Sequence, residues 1–157
     1  MRWHWTSFSE LTVPELYAAL RLRQAVFVLE QTCLYPDIDG DDALCHHLLG
    51  FGDDGGLDAY LRVYPPGALK PDVVIGRVII APRVRGQGLG RVLMEAGQRL
   101  AFETFGAHPI YLGGQSYLRS FYESLGYAVV GPEYLEDDIP HFPMRRPHPQ
   151  YTTDVAT

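Results

Sequence analysis

The sequence predicts a single mixed α/β layer fold, a central β-sheet with α-helices on both faces. Three observations carry that expectation. Short β-branched or aromatic runs alternate with longer stretches whose apolar residues recur at helical spacing. The order along the chain is strands, a loop, a helix, a strand, a second helix and terminal strands, without an internal repeat or a domain linker. Finally, 157 residues that are 46% hydrophobic and 20% charged suit one soluble domain with a substantial core.

Trp3 to Phe8 reads as a first strand with aromatic content. Thr12-Val13-Pro14-Glu15 is a capping-box signature with proline at the helix start. The helix that follows carries Leu16, Ala19, Leu20, Val26 and Phe27 on or near one face and runs toward Leu29. Its continuation, VFVLEQ, is too apolar for a surface loop, so it should lie against the core and deliver Glu30 and Gln31 to a rim. Residues 35–42, YPDIDGDD, form an acidic loop. A calcium loop starting at Asp37 would need Gly where Asp42 stands and Glu where Leu48 stands, so an Asp-rich turn held by side-chain-to-backbone bonds is expected instead. Two hairpin strands follow at about 46–51 and 57–63, separated by Asp53-Asp54-Gly55-Gly56.

The organising stretch is Gly76 to Ala96, a buried strand, a turn crowded with Arg and Gly, and a helix. Val78-Ile79-Ile80, extended backwards by Val73, Val74 and Ile75, is brief and β-branched, and Pro82 ends it. Leu89, Leu93, Ala96 and Leu100 then mark one face of a helix. Between them stand Gly86, Gly88 and Gly90, with Arg83, Arg85 and Arg91 around the same turn. The first amides of a helix lack intrahelical partners and sit at the positive end of its dipole. Glycines let a diphosphate approach them and permit the φ values that a concave nest of amides requires. A phosphate or pyrophosphate site is therefore expected. It is not a P-loop, because Gly90 is followed by Arg91-Val92, and no carboxylate closes the next strand as the dinucleotide fingerprint requires. Beyond it, Pro109 to Leu112 makes a strand ending at Gly113-Gly114, a helix runs from about Ser116 to Leu125, and residues 127–144 form a last hairpin. From Arg145 onward little can be buried, so residues 145–157 are expected to form a loosely held tail after a domain spanning 1–144.

The net charge of −6 argues against general nucleic-acid binding and suits a cationic substrate such as an amine. Cys33 and Cys45 form neither a CxxC motif nor a disulfide framework, which favours a reducing cytoplasm. The N-terminus lacks the apolar core of a signal peptide, and no apolar run approaches the ~20 residues that span a bilayer. No metal-binding pattern emerges, and the assembly state, a homodimer included, stays open.

Arg85-x-x-Gly88-x-Gly90 resembles the acyl-CoA pyrophosphate loop of the GNAT acetyltransferase superfamily. Phe121-Tyr122-Glu123-Ser124-Leu125-Gly126-Tyr127 is similar to the segment that closes the GNAT core. More narrowly, residues 25–31, 37–42, 76–78, 111–115 and 136–141 resemble the ElaA-type branch, so the likeness covers nearly all of residues 3–144. The resemblance implies a splayed central sheet and an acetyl-CoA-dependent N-acetyltransferase. The implied donor site has the pantetheine along Val78, Ile79 and Ile80. The pyrophosphate lies on Arg85, Gly86, Gln87, Gly88, Leu89, Gly90 and Arg91, with Arg83 adding charge, and Gln115 stands at the first turn after the next strand. Tyr122 matches the tyrosine credited with protonating the CoA thiolate. On spacing alone it is equally a core residue, because Leu118, Phe121, Tyr122 and Leu125 share a helical face.

The general base stays open among His47, His141, Glu30 and Glu136, since the organising strand offers Arg77 and no acid. His46 and His47 must face opposite sides of a strand, so one of them points inward. Arg62 and Arg77 either bind a substrate carboxylate or brace acidic loops through ion pairs. The expected function is transfer of an acetyl group from acetyl-CoA to a small-molecule or peptide amine by direct attack. The alternative is a CoA-binding module whose catalysis is lost or secondary and which acts through a protein partner.

Overall fold

A computed structural model describes residues 1–149. Strand β1 (Arg2–Ser7) leads to helix α1 (Val13–Arg23), whose cap is Thr12 accepting a bond from the Glu15 amide. The apolar run after α1 winds on as a π-helical segment, Gln24–Glu30, a rare conformation that projects side chains at a spacing an α-helix cannot. Strands β2 (His46–Phe51), β3 (Leu57–Tyr64) and β4 (Val73–Ile80) follow, then helix α2 (Leu89–Phe105) and strand β5 (Ile110–Gln115). Helix α3 (Arg119–Ser124) and strands β6 (Ala128–Val129), β7 (Tyr134–Glu136) and β8 (Ile139–Arg146) complete the domain.

The sheet runs β1-β2-β3-β4-β5-β8-β6, with β7 also on β8, and every pairing is antiparallel except β4 with β5. Leu48, Leu61, Val63 and Ile75 pack with Leu93 and Met94 of α2 on one face. Leu49, Tyr60 and Ile79 pack with Ala19, Leu22 and Val26 on the other. The expected helices on both faces are thus present.

Two irregularities open the sheet. Between the pairs Tyr60↔Ile79 and Arg62↔Gly76, Leu61 alone opposes Arg77 and Val78, so β4 carries a bulge. Arg77 takes the extra position in the left-handed region, with φ 52°. The bulge flips the alternation: Val73 and Ile75 face α2 before it, Val78 and Ile80 after it. The second irregularity is that β4 and β5 pair only at Val73↔Ile110 and Val74↔Tyr111, then diverge.

The last hairpin is richer than expected, with three short strands between Ala128 and Arg146. Arg145 and Arg146, assigned above to the tail, pair with Tyr111 and Ile110. The ladder, not local hydrophobicity, holds them, and Arg145 also binds Asp72 at 2.8 Å. Of the tail expected over 145–157, residues 150–157 lie outside the described residues.

Candidate active site

Where β4 and β5 part, a cavity of about 1000 Å³ opens through the sheet and reaches both of its faces. Val26, Phe27 and Glu30 line it on the α1 side, and Gly90, Leu118, Phe121 and Tyr122 on the α2–α3 side. A ladder that stops after two pairs leaves the facing edge of β4 unpaired. Ala81 N–H bonds Asp58 O across β3 at 2.8 Å, so by alternation Val78 and Ile80 turn their backbone groups to the gap. Ile80 O accepts from Arg85 Nε at 3.1 Å, as that orientation requires.

The glycine turn has the predicted shape. Gly86 (φ 78°) and Gly88 (φ 75°) are left-handed, and Gly88 caps α2. A Cβ at either would meet no protein atom within 4 Å, so the turn is open to its surroundings. Among the arginines, Arg85 lies at the cavity and binds both oxygens of Glu30, at 2.5 and 3.0 Å. That hydrogen bond holds the Glu30 carboxyl below its usual range and makes it a weak base. Arg83 is paired with Asp54 and Asp58 and does not line the cavity. Arg91 binds Ser124 Oγ at 2.6 Å and lies over the Phe121 ring. Gln87 and Leu89 line a shallow depression outside the cavity.

Tyr122 lies on α3 with its ring flush against β5, where a Cβ on Gly114 would sit 2.8 Å from the ring. Burial, with Tyr117 nearby, pushes its phenol up to about 12, so it stays protonated at neutral pH. On the opposite face of β5, register builds a row across three strands: Gln115 opposes His141, and His141 opposes Tyr134. His141 is 8% exposed and its ring stacks on Tyr134, centroids 5.7 Å apart. Its Nδ1 donates to Ile139 O at 2.6 Å, which leaves Nε2 as the basic nitrogen, 3.8 Å from Glu136 Oε2. Tyr134 reaches over Gly113, where its hydroxyl fills the volume a Cβ would take. Gly113 and Gly114 are therefore glycine because a tyrosine presses on each side of the strand.

The acidic loop is locked down by arginines. Arg23, fully buried, binds Asp37 at 2.9 Å and Asp42 at 2.7 Å. Arg62 binds Asp39 at 2.6 Å and Asp42 at 3.0 Å, and Arg77 binds Asp37 at 2.8 Å. Tyr64 adds a bond to Asp41 at 2.8 Å. Burial works against the charge on Asp42, yet Arg23 and Arg62 outweigh it and hold its carboxyl below the usual range. Hydrogen bonds from Arg62 drive Asp39 well below that range. Of the two roles expected for Arg62 and Arg77, bracing is the one observed. One side-chain-to-backbone bond of the expected kind, Asp41 N–H to Asp39 Oδ1 at 3.0 Å, accompanies the ion pairs.

His47 is a correction. It is 1% exposed and absent from the cavity wall, bonded to Tyr60 Oη at 2.7 Å and Asp42 O at 2.9 Å. Burial lowers its pKa, so it is a neutral core residue. Its neighbour His46 points to the other face, stacked on Trp5. The cavity does gather Val78, Ile79, Ile80, Arg85, Gly90, Gln115, Tyr122, Glu30, Glu136, His141, Arg62 and Arg77. Sequence reasoning passed over Tyr134 and Arg23. The paired glycines before Gln115 were a signal for the first, and the buried arginine had none.

The acetyltransferase (GNAT) domain profile matches residues 63–147. ElaA of Escherichia coli is 43% identical over 148 residues, 93% of this chain and 96% of ElaA. The chain belongs to the GNAT acetyltransferase family. Within it, the chain is of the ElaA type: the crystal structure of E. coli ElaA superposes with a TM-score of 0.86 at 42% identity, over 92% of this chain and 98% of that one. An acyl-CoA N-acyltransferase from Pseudomonas aeruginosa reaches a TM-score of 0.89 at 45% identity, with the same coverage. An aminoglycoside 6'-N-acetyltransferase solved with coenzyme A shares the fold at 15% identity, TM-score 0.67, over 92% and 96% of the two chains. Membership in this family places the chemistry in the class of acyl transfer.

Proposed function

We propose that the protein moves an acetyl group from acetyl-CoA to an amine by direct attack. The observation that carries this reading is the gap between β4 and β5, which leaves the Val78 and Ile80 backbone facing a cavity open on both sides of the sheet. The α2–α3 side takes the donor. Left-handed glycines and the first amides of α2 receive the diphosphate, and the edge of β4 bonds the pantetheine as an added strand would. Arg85 can then exchange Glu30 for a phosphate oxygen. The acceptor enters from the α1 side, beside His141, Glu136 and Gln115.

The steps balance without a covalent enzyme intermediate. His141 Nε2 takes a proton from the ammonium, and the free amine nitrogen bonds to the thioester carbon. The C–S bond breaks, the departing thiolate takes the phenolic proton of Tyr122, and the second amine proton leaves the nitrogen through solvent, which returns a proton to the phenolate. Gln115, in register with His141, orients the acceptor.

The test is a panel of primary amines with acetyl-CoA, read as release of free thiol, beside calorimetry of CoA binding. His141→Gln should lower kcat/KM by about 10²–10⁴, with CoA affinity unchanged. No heat from CoA at low salt removes the proposal. Heat without thiol release on any amine would favour a binding module.

A further inference from the structure

The wall of the acceptor side holds a charge imbalance. Arg62 and Arg77 are neutralised by Asp37, Asp39 and Asp42, and Arg85 by Glu30. The remaining lining base, Lys70, is exposed and sits on the face of Tyr111, 4.6 Å from its centroid. Two lining carboxylates, Glu136 and Asp137, have no Lys or Arg partner among the described residues. They stand side by side at the tip of the β7–β8 hairpin, where Asp137 (φ 50°) and Asp138 (φ 62°) are both left-handed and make the turn. Across the cavity the turn faces Cys33 and Tyr35. Burial first, and then Glu136 or Asp137, raise the pKa of Cys33, Tyr111 and Tyr134. The carboxylates therefore project an unbalanced negative potential over this half of the cavity.

A second observation points to what this potential receives. His141, more than nine-tenths buried, spends Nδ1 on Ile139 O, and its Nε2, in the wall of the same space, has no hydrogen-bond partner among the described residues. Its nearest charged neighbour is Glu136, at 3.8 Å. One ammonium fits beside His141 and Glu136. Asp137, one residue farther along the hairpin, then answers a second.

We infer that the acceptor is a short-chain diamine or a larger molecule ending in one: a reacting ammonium at His141 and Glu136, and a second ammonium held by Asp137. The inference rests on the acyl-transfer reading only for which nitrogen reacts. An acceptor carboxylate at the far end is disfavoured, because the wall's arginines are paired and Lys70, stacked on Tyr111, stands against two carboxylates that lack a Lys or Arg partner among the described residues.

The test is calorimetry on the CoA-loaded protein with three probes of matched length: cadaverine, pentylamine and δ-aminovaleric acid. Cadaverine should bind about tenfold more tightly than pentylamine, the factor that one charge-assisted contact supplies. δ-Aminovaleric acid should bind most weakly. Asp137→Asn, which keeps a residue type tolerant of the left-handed region, should bring the cadaverine-to-pentylamine ratio to about one. The ratio should also fall as salt rises. Equal binding of cadaverine and pentylamine, a preference for the amino acid, or a ratio unchanged in Asp137→Asn overturns the inference. These readouts need no turnover, so a catalytically silent protein that still prefers cadaverine supports the acceptor class while removing the acetyl-transfer reading. Absence of CoA heat removes both.

Discussion

The hydroxyl of Tyr134 stands where residue 113 would carry a Cβ, so β7 can close over β5 only because that residue is glycine. This contact sets the depth at which His141, stacked on Tyr134, enters the cavity. Gly113→Ala should therefore push Tyr134 and His141 outward, raising KM for the amine by about tenfold and leaving CoA affinity within a factor of two. In a Tyr134→Phe background the same alanine should cost less, because the colliding oxygen is gone. Steady-state kinetics on the four members of this double-mutant cycle measure the coupling.

Tyr122 sits on the opposite side of the same strand. Tyr122→Phe keeps the ring against Gly114 and removes only the hydroxyl; if that hydroxyl protonates the thiolate as proposed, kcat should fall by about 10²-fold or more while CoA binds as before. Because burial holds the phenol near 12, no alkaline limb below about pH 10 should trace to it. Paired kcat–pH profiles and calorimetry decide the matter.

Gly88→Ala separates loop strain from ligand contact. A Cβ there meets no protein atom, so the stability cost should be only the left-handed penalty of about 1–2 kcal/mol. The methyl group would project among amides meant for a diphosphate, so CoA affinity should fall by about tenfold or more. Thermal melts and CoA titration of the same sample compare the two losses.

The arginine–aspartate lattice predicts a pH dependence of stability. Asp39 and Asp42 are held below their unfolded range, so the unfolded chain binds more protons in acid. Their contribution is fully present above about pH 5 and fades as pH falls through the unfolded value near 3.9 toward the lower folded ones. Asp42→Asn should cost about 3–5 kcal/mol, because Arg23 and Arg62 would then face each other under-compensated in the interior. Its melting curve should also lose part of the acid sensitivity. Denaturant melts between pH 3 and 7 check both statements.

The readable parts of this molecule are local ones. Positive φ at Gly86 and Gly88, the cap at Thr12 and the helical period of α2 depend on residues a few positions apart. Strand β4 and the glycine turn after it could thus be located from the chain alone. The roles of charged residues could not. Arg62 meets Asp39 across 23 positions and Arg77 meets Asp37 across 40, distances over which sequence pattern carries no pairing information. His47 illustrates the same limit: alternation says that it and His46 part company, but not that Tyr60 and the Asp42 carbonyl take up both of its ring nitrogens away from the cavity.

By itself, the sequence determined the layer architecture, the family and the glycine turn before α2, because periodicity, β-branching and glycine placement act through the backbone of contiguous residues. Tertiary structure alone decided that His141 and Glu136 share the cavity while His47 is sealed behind it, that Arg62 and Arg77 are spent on the acidic loop, and that Tyr134 overlies Gly113. Those outcomes follow from one bulge at Arg77 and from where β4 releases β5, and a strand's point of divergence is set by the competing contacts of every element packed against it.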